Sequence, residues 1–297
     1  MSLVGRLSAR VGRLLNRPTV RERVVIREID ATARRRLPPG FVVGVYRSGT
    51  TLLRFVLDSH PNIAVPPETN FLVGVAALLS DEWYRKGLAG VGVDEVGLNA
   101  RLRDFAGGIF DAYALAKGKR RWFDKTPSYV DILDRIDALF GPECRYIMLY
   151  RHGLDVATSM TRMQGGDVSR GPGKRYVHLY PASARLCNAA FWADQCEKML
   201  SFEAAHPGQC VRLLYEDLST EPARHLPPMF AFLGEPWDPA VLRFAETPHD
   251  YGLQDYKVLE TKRFEPNIGT WKDWPPEEIE RAREIVSPVL AKLGYRA

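Results

Sequence analysis

The segment Phe41-Val42-Val43-Gly44-Val45-Tyr46 carries no charge and is rich in β-branched residues. It passes through Arg47-Ser48-Gly49 into Thr50 to Ser59, where Leu52, Leu53, Val56 and Leu57 share one helical face. A short continuous apolar run is the pattern of a strand covered on both faces, as in parallel sheets. A strand that enters a helix through a tight loop is the βα unit of α/β folds. This one stretch therefore predicts an α/β domain with a central parallel sheet and helices on both sides.

Similar units recur. Arg145 to Tyr150 reads as a strand ending in Arg151-His152-Gly153 and leading into a helix from Asp155 to Met163. Val211 to Tyr215 ends in Glu216-Asp217 before a helix from Ala223 to Leu233, and Arg121-Trp122-Phe123 ends in Asp124-Lys125. Ligands of open α/β sheets bind beyond the carboxyl ends of the strands, so these polar strand ends are where chemistry is expected. Residues 72–118 are expected to be helical and loop-rich. Residues 164–176, with Gly165, Gly166, Gly171 and Gly173, read as a mobile surface loop over an acceptor. Pro275 to Leu293 reads as a helix disturbed by Pro288.

Of the 297 residues, the first 36 hold ten arginines against three acidic residues, so the net charge of +5 resides in an N-terminal arm and the body is slightly acidic. A DNA or RNA partner would need a basic face on the body, and none is expected. In the arm, Leu3, Val4, Leu7, Val11, Leu14 and Leu15 fall at helical spacing. Two readings stay open: a helix packed on the body or on a second subunit, as in a homodimer, and a helix lying on a membrane surface. The organisation expected is arm 1–36 and one domain 37–297. Cys144, Cys187, Cys196 and Cys210 lack metal-ligand spacing. They read as free thiols of a reducing compartment, which points to the cytoplasm and away from a zinc site.

The loop Gly44-Val45-Tyr46-Arg47-Ser48-Gly49-Thr50-Thr51 has its glycines five apart, as in a P-loop, with Thr50 where a P-loop has lysine. Amides of the loop and the first helical turn would point at one spot, and the helix dipole favours an anion there. Thr50 and Thr51 add hydroxyl donors, and Arg47 adds a permanently charged planar fork.

RSGTTLLRFVLDSHPNIAVPPET (Arg47 to Thr69) resembles the phosphosulfate-binding loop of sulfotransferases that use 3'-phosphoadenosine 5'-phosphosulfate (PAPS). It looks most like the branch of the tyrosylprotein sulfotransferases and bacterial relatives. FDKTPSY (Phe123 to Tyr129), YRHGLDVATSM (Tyr150 to Met160), LLYEDLSTEPARHLPPMFAFLGEPW (Leu213 to Trp237) and EPNIGTWKDW (Glu265 to Trp274) extend the resemblance in family order. The resemblance implies a P-loop-like three-layer sandwich and a metal-free transfer from PAPS that releases adenosine 3',5'-bisphosphate. It implies that Arg47, Ser48, Gly49, Thr50 and Thr51 bind the phosphosulfate, that Arg151 and Ser159 bind the 3'-phosphate, and that Tyr215 packs near the nucleotide. Glu68 would be the general base, with Arg47 and Lys125 stabilising the transition state. His60 and His152 read as structural. The C-terminal loop departs from the basic pattern of many relatives; Gly269, Thr270 and Lys272 are the candidates there. The acceptor expected is a small-molecule, lipid or sugar hydroxyl. Two alternatives remain at this stage, a kinase-like phosphotransferase and a non-catalytic nucleotide-binding protein of the same fold.

Overall fold

The computed structural model describes residues 37–252 and 261–295. Both readings of the arm 1–36 fall outside them. Five strands, β1 (Gly40–Val43), β2 (Ile63–Ala64), β3 (Arg121–Lys125), β4 (Arg145–Tyr150) and β5 (Cys210–Leu214), form one parallel sheet in the order β2-β3-β1-β4-β5. The chain leaves β1 at the centre and places β3 on one side and β4 on the other. That reversal opens a crevice at the carboxyl end of β1, where α/β sheets bind ligands.

Side chains alternate across the pleat. Phe41 and Val43 join Trp122, Tyr146 and Met148 in one core, and Val42 joins Phe123, Ile147 and Leu149 in the other. Helices cover both faces. Against the second core pack α1 (Thr50–Asp58) and residues of the later Pro222–Leu233 helix. Against the first lie α2 (Phe71–Ser80), α4 (Glu95–Ala116), α5 (Leu133–Phe140), α6 (Gly153–Gln164) and α7 (Ala184–Ala205); α3 (Glu82–Gly90), between α2 and α4, buries no residue fully. After β5 come α8 (Tyr215–Thr220), α9 (Pro222–Leu233) and, at the end, α10 (Pro276–Lys292) with Pro288 inside it. The expected three-layer sandwich is the observed one.

Two local expectations change. The last strand stops at Leu214, and Tyr215 opens α8 instead. That turn lays the Tyr215 ring against Gly49, where an added Cβ would sit 2.3 Å from Cδ2. Within the glycine-rich 164–176 stretch, Pro172–Tyr176 forms a 3₁₀ turn on α7. The Asn188 amide of α7 donates to Thr161 Oγ1 at 3.0 Å and Gln164 Oε1 at 3.1 Å, and its carbonyl leaves no room for a Cβ at Gly173. Small residues there serve close packing, so this part is a fastened turn, not the open loop expected from composition.

Candidate active site

The β1–α1 loop turns through two left-handed residues, Arg47 (φ 70°) and Gly49 (φ 91°), on either side of Ser48. Glycine bears such a φ without cost, and an arginine there is strained. Ser48 N–H donates to Val45 O at 3.1 Å and closes the turn. No side chain caps α1, and its first turn holds no acidic residue. The amides at its start are thus free to meet an anion, which the helix dipole also favours. Ser48 is fully buried and its hydroxyl has no partner.

Gly49, Thr50 and Thr51 line a cleft of about 530 Å³. Arg47, Glu68, Arg151, Ser159, Tyr215, Asn267 and Thr270 also line it. Arg47 Nε donates to Ser159 Oγ at 3.0 Å, so the loop and α6 meet there. Arg151, at the end of β4 and only 6% exposed, donates to Arg47 O at 2.8 Å and Asn267 O at 2.6 Å. Its guanidinium lies 4.4 Å from the Tyr215 ring centroid. Its Nε is buried without a partner. The Tyr215 hydroxyl donates to Glu265 O at 2.8 Å. One buried arginine therefore joins the β1–α1 loop to the C-terminal loop and still has a donor to spare.

Glu68, just past Pro66-Pro67, lines the same cleft. Lys125, at the end of β3, is fully buried and its ammonium donates to Glu68 Oε1. Burial lowers the lysine's proton affinity and the Glu68 charge restores part of it. Lys125 meets the cleft only through this pair, since it is not itself a lining residue. Its neighbour Asp124 makes no hydrogen bond to the Lys125 ammonium but acts on the pair through its charge. Asp124 is fully buried, with Oδ2 unpartnered and Thr126 Oγ1 3.5 Å from Oδ1.

Burial pushes the Asp124 carboxyl up to about 6 from an ordinary 3.8. A carboxyl raised on folding is most favourable below its unfolded pKa and becomes a liability as pH rises through the folded one. Two units at 1.36 kcal/mol each give a penalty of about 3 kcal/mol above pH ~6. Asp124→Asn removes the ionisation, so its stability relative to wild type should improve by about 1–2 kcal/mol between pH 5 and pH 8. Guanidinium denaturation at the two pH values measures this. Any fixed packing effect of the amide cancels in the comparison, and an unchanged difference would contradict a buried ionisation at Asp124.

Of the expected C-terminal loop donors, Thr270 reaches the cleft, whereas Gly269 and Lys272 are not among its lining residues. The Gly269 and Thr270 amides and the Thr270 hydroxyl are taken by Asp155 of α6, at 3.0, 2.6 and 2.8 Å. Asp155 is almost wholly buried. It was not legible in the sequence as more than an acidic residue in a first helical turn, because its partners lie 114 and 115 positions away. His60 is buried against Pro236 O at 2.9 Å, and His152 stacks on Trp271 with centroids 5.9 Å apart. Neither histidine lines the cleft.

Residues 38–239 match the sulfotransferase family. The chain is 27% identical over 269 residues to protein-tyrosine sulfotransferase 1 of Danio rerio, covering 87% of this chain and 72% of that one. It is 29% identical over 278 residues to nodulation protein NoeE of Sinorhizobium fredii, covering 86% of this chain and 65% of NoeE. In fold it is similar to the sulfotransferase domain of a Synechococcus olefin synthase, with a TM-score of 0.63 at 22% identity over 91% of this chain and all of that one.

Proposed function

The chain belongs to the sulfotransferase family, and on that premise we propose that it moves a sulfuryl group from PAPS to an acceptor hydroxyl, with Glu68 as general base. The observation that carries the reading is the convergence on one cleft of an uncapped helix start, two arginines and a carboxylate–lysine pair.

The residues present fit the nucleotide. Ser48 Oγ and Arg151 Nε are buried donors without partners, and a buried polar atom left unpaired is costly unless a ligand satisfies it. The Thr50 and Thr51 amides and hydroxyls would hold the 5'-phosphate, and Arg151 and Ser159 the 3'-phosphate. PAPS supplies the activated sulfuryl group and leaves as adenosine 3',5'-bisphosphate. Arg47 neutralises charge on the leaving side. Glu68 accepts the acceptor's proton, a task that suits a carboxylate at the cleft wall with one oxygen engaged by Lys125. Lys125, fully buried behind Glu68, and Arg47, at the cleft wall, act as cations held in place toward charge that spreads over the transferring group. Thiols at all four cysteines support a reducing compartment such as the cytoplasm.

Calorimetry tests the nucleotide site first. Adenosine 3',5'-bisphosphate should bind the folded protein without magnesium. PAPS should then be turned over with a member of a panel of phenolic, sugar and aliphatic hydroxyls, tyrosyl peptides included. Failure to bind the bisphosphate, with binding of magnesium and ATP instead, would overturn the reading.

A further inference from the structure

We propose that Arg54 is the positioning residue for Glu68, so that the helix carrying the phosphate loop also sets the place of the base; the proposal rests on the sulfotransferase reading above. Arg54 lies in α1 and is fully buried. Its Nε donates to Val65 O at 3.2 Å and to Pro66 O at 3.0 Å, and its Nη2 donates to Asp250 O. One turn on, Asp58 Oδ1 accepts the Val65 amide at 3.0 Å. Residues four apart share a helix face. The helix therefore grips Val65 at both its N–H and its C=O.

The chemistry of the gripped segment explains why an arginine stands there. Strand β2 ends at Ala64, and Pro66 and Pro67 have no N–H with which to extend the sheet. The carbonyls of Val65 and Pro66 still need donors in a dry interior. The guanidinium shares its Nε–H between the two and, from the same plane, gives Nη2 to Asp250 O. Only Pro67, whose φ is fixed by its ring, separates the held carbonyl of Pro66 from Glu68. Pro67 is also backed by Gly252, where an added Cβ would lie 2.5 Å from Pro67 Cβ. The carboxylate that pairs with Lys125 thus sits one stiff residue from the tether, while α1 begins at the anion-binding loop.

Burying a guanidinium is expensive, and three neutral carbonyls do not require its charge. Burial lowers the proton affinity of Arg54, and the charges of Asp58, Asp250 and, least, Glu68 restore part of it; Arg54 in turn opposes protonation of Lys125. Arg54 touches neither the cleft nor the reacting atoms, since it is absent from the lining. Its effect passes through Glu68.

A double-mutant cycle with Arg54→Lys and Glu68→Gln in the full chain tests this. Lysine keeps the charge but cannot bridge both carbonyls and Asp250. Arg54→Lys should lower kcat by about 30- to 100-fold, the scale of a misplacement near 1 Å. Binding of adenosine 3',5'-bisphosphate, measured calorimetrically, should stay within about threefold. In the Glu68→Gln background the same change should cost about threefold or less, because residues acting through one another are not additive. Equal losses in both backgrounds, or a loss of bisphosphate affinity matching the loss of kcat, would overturn the proposal. Arg54→Gln, which keeps a donor without the charge, goes through the same cycle should the lysine variant not fold. A wild-type protein that neither binds the bisphosphate nor turns over PAPS would instead sink the sulfotransferase reading itself.

Discussion

Glu68→Gln is expected to lower kcat by about 10²- to 10⁴-fold, the usual contribution of a positioned general base, with bisphosphate affinity almost unchanged. Glutamine is the informative substitution because its carbonyl oxygen can still accept the Lys125 hydrogen bond. Glu68→Ala would leave the buried ammonium alone, and breaking a buried pair in that way costs about 3–5 kcal/mol. A drop in activity of the alanine variant would then mix lost chemistry with lost structure. Single-turnover rates with saturating PAPS, beside calorimetric binding of adenosine 3',5'-bisphosphate, separate the two. A glutamine variant with near wild-type kcat would remove Glu68 from the proton transfer and leave it as the partner of Lys125.

Arg151→Ala should weaken binding of adenosine 3',5'-bisphosphate by about 30- to 1000-fold, corresponding to about 2–4 kcal/mol for a desolvated charged donor. Three effects add. The spare Nε donor is lost, together with a cation 4.4 Å from the Tyr215 ring. The bonds to Arg47 O and Asn267 O, at 2.8 and 2.6 Å, go with it, and they tie together two loops that both line the cleft. Loss of a carbonyl partner at Arg47 is felt more sharply because that residue sits at φ 70°. Titration without magnesium reads the affinity directly. A change below about threefold would show that Arg151 is a structural tie and that the nucleotide is held elsewhere.

The architecture was legible because its signal is local. The apolar run from Phe41 announces a strand buried on both faces, and the glycine-spaced segment before Thr50 announces a tight turn into a helix, without reference to any distant residue. The strands that flank β1, Arg145–Tyr150 and Arg121–Lys125, were legible for the same reason. What the chain hides is pairing at a distance. Asp124 next to Lys125 reads as an adjacent ion pair, yet the ammonium turns to Glu68, 57 positions earlier. Gly269 and Thr270 read as donors for a phosphate, and their amides are held by Asp155. Arg54 sits among Leu52, Leu53, Phe55 and Val56 and reads as the polar edge of an amphipathic helix. Its burial comes from carbonyls that follow a strand whose place in the sheet no periodicity foretells. The run Leu52 to Leu57 was the available hint: a helix so apolar with one arginine inside it is a helix covered all round, where a charge must have partners.

That helix has a consequence for how such a chain can change over generations. All but one residue of α1 is buried, its first turn faces the cleft, and its later turns grip the segment that ends in Glu68. On the proposed function a substitution there would meet packing, anion binding and proton transfer at once, so few would pass all three. By contrast α3, with no buried residue, answers to almost nothing. Drift will therefore collect in the α3 surface and spare the stretch from Gly44 to Glu68, leaving kinship readable there after most of the remaining sequence has diverged.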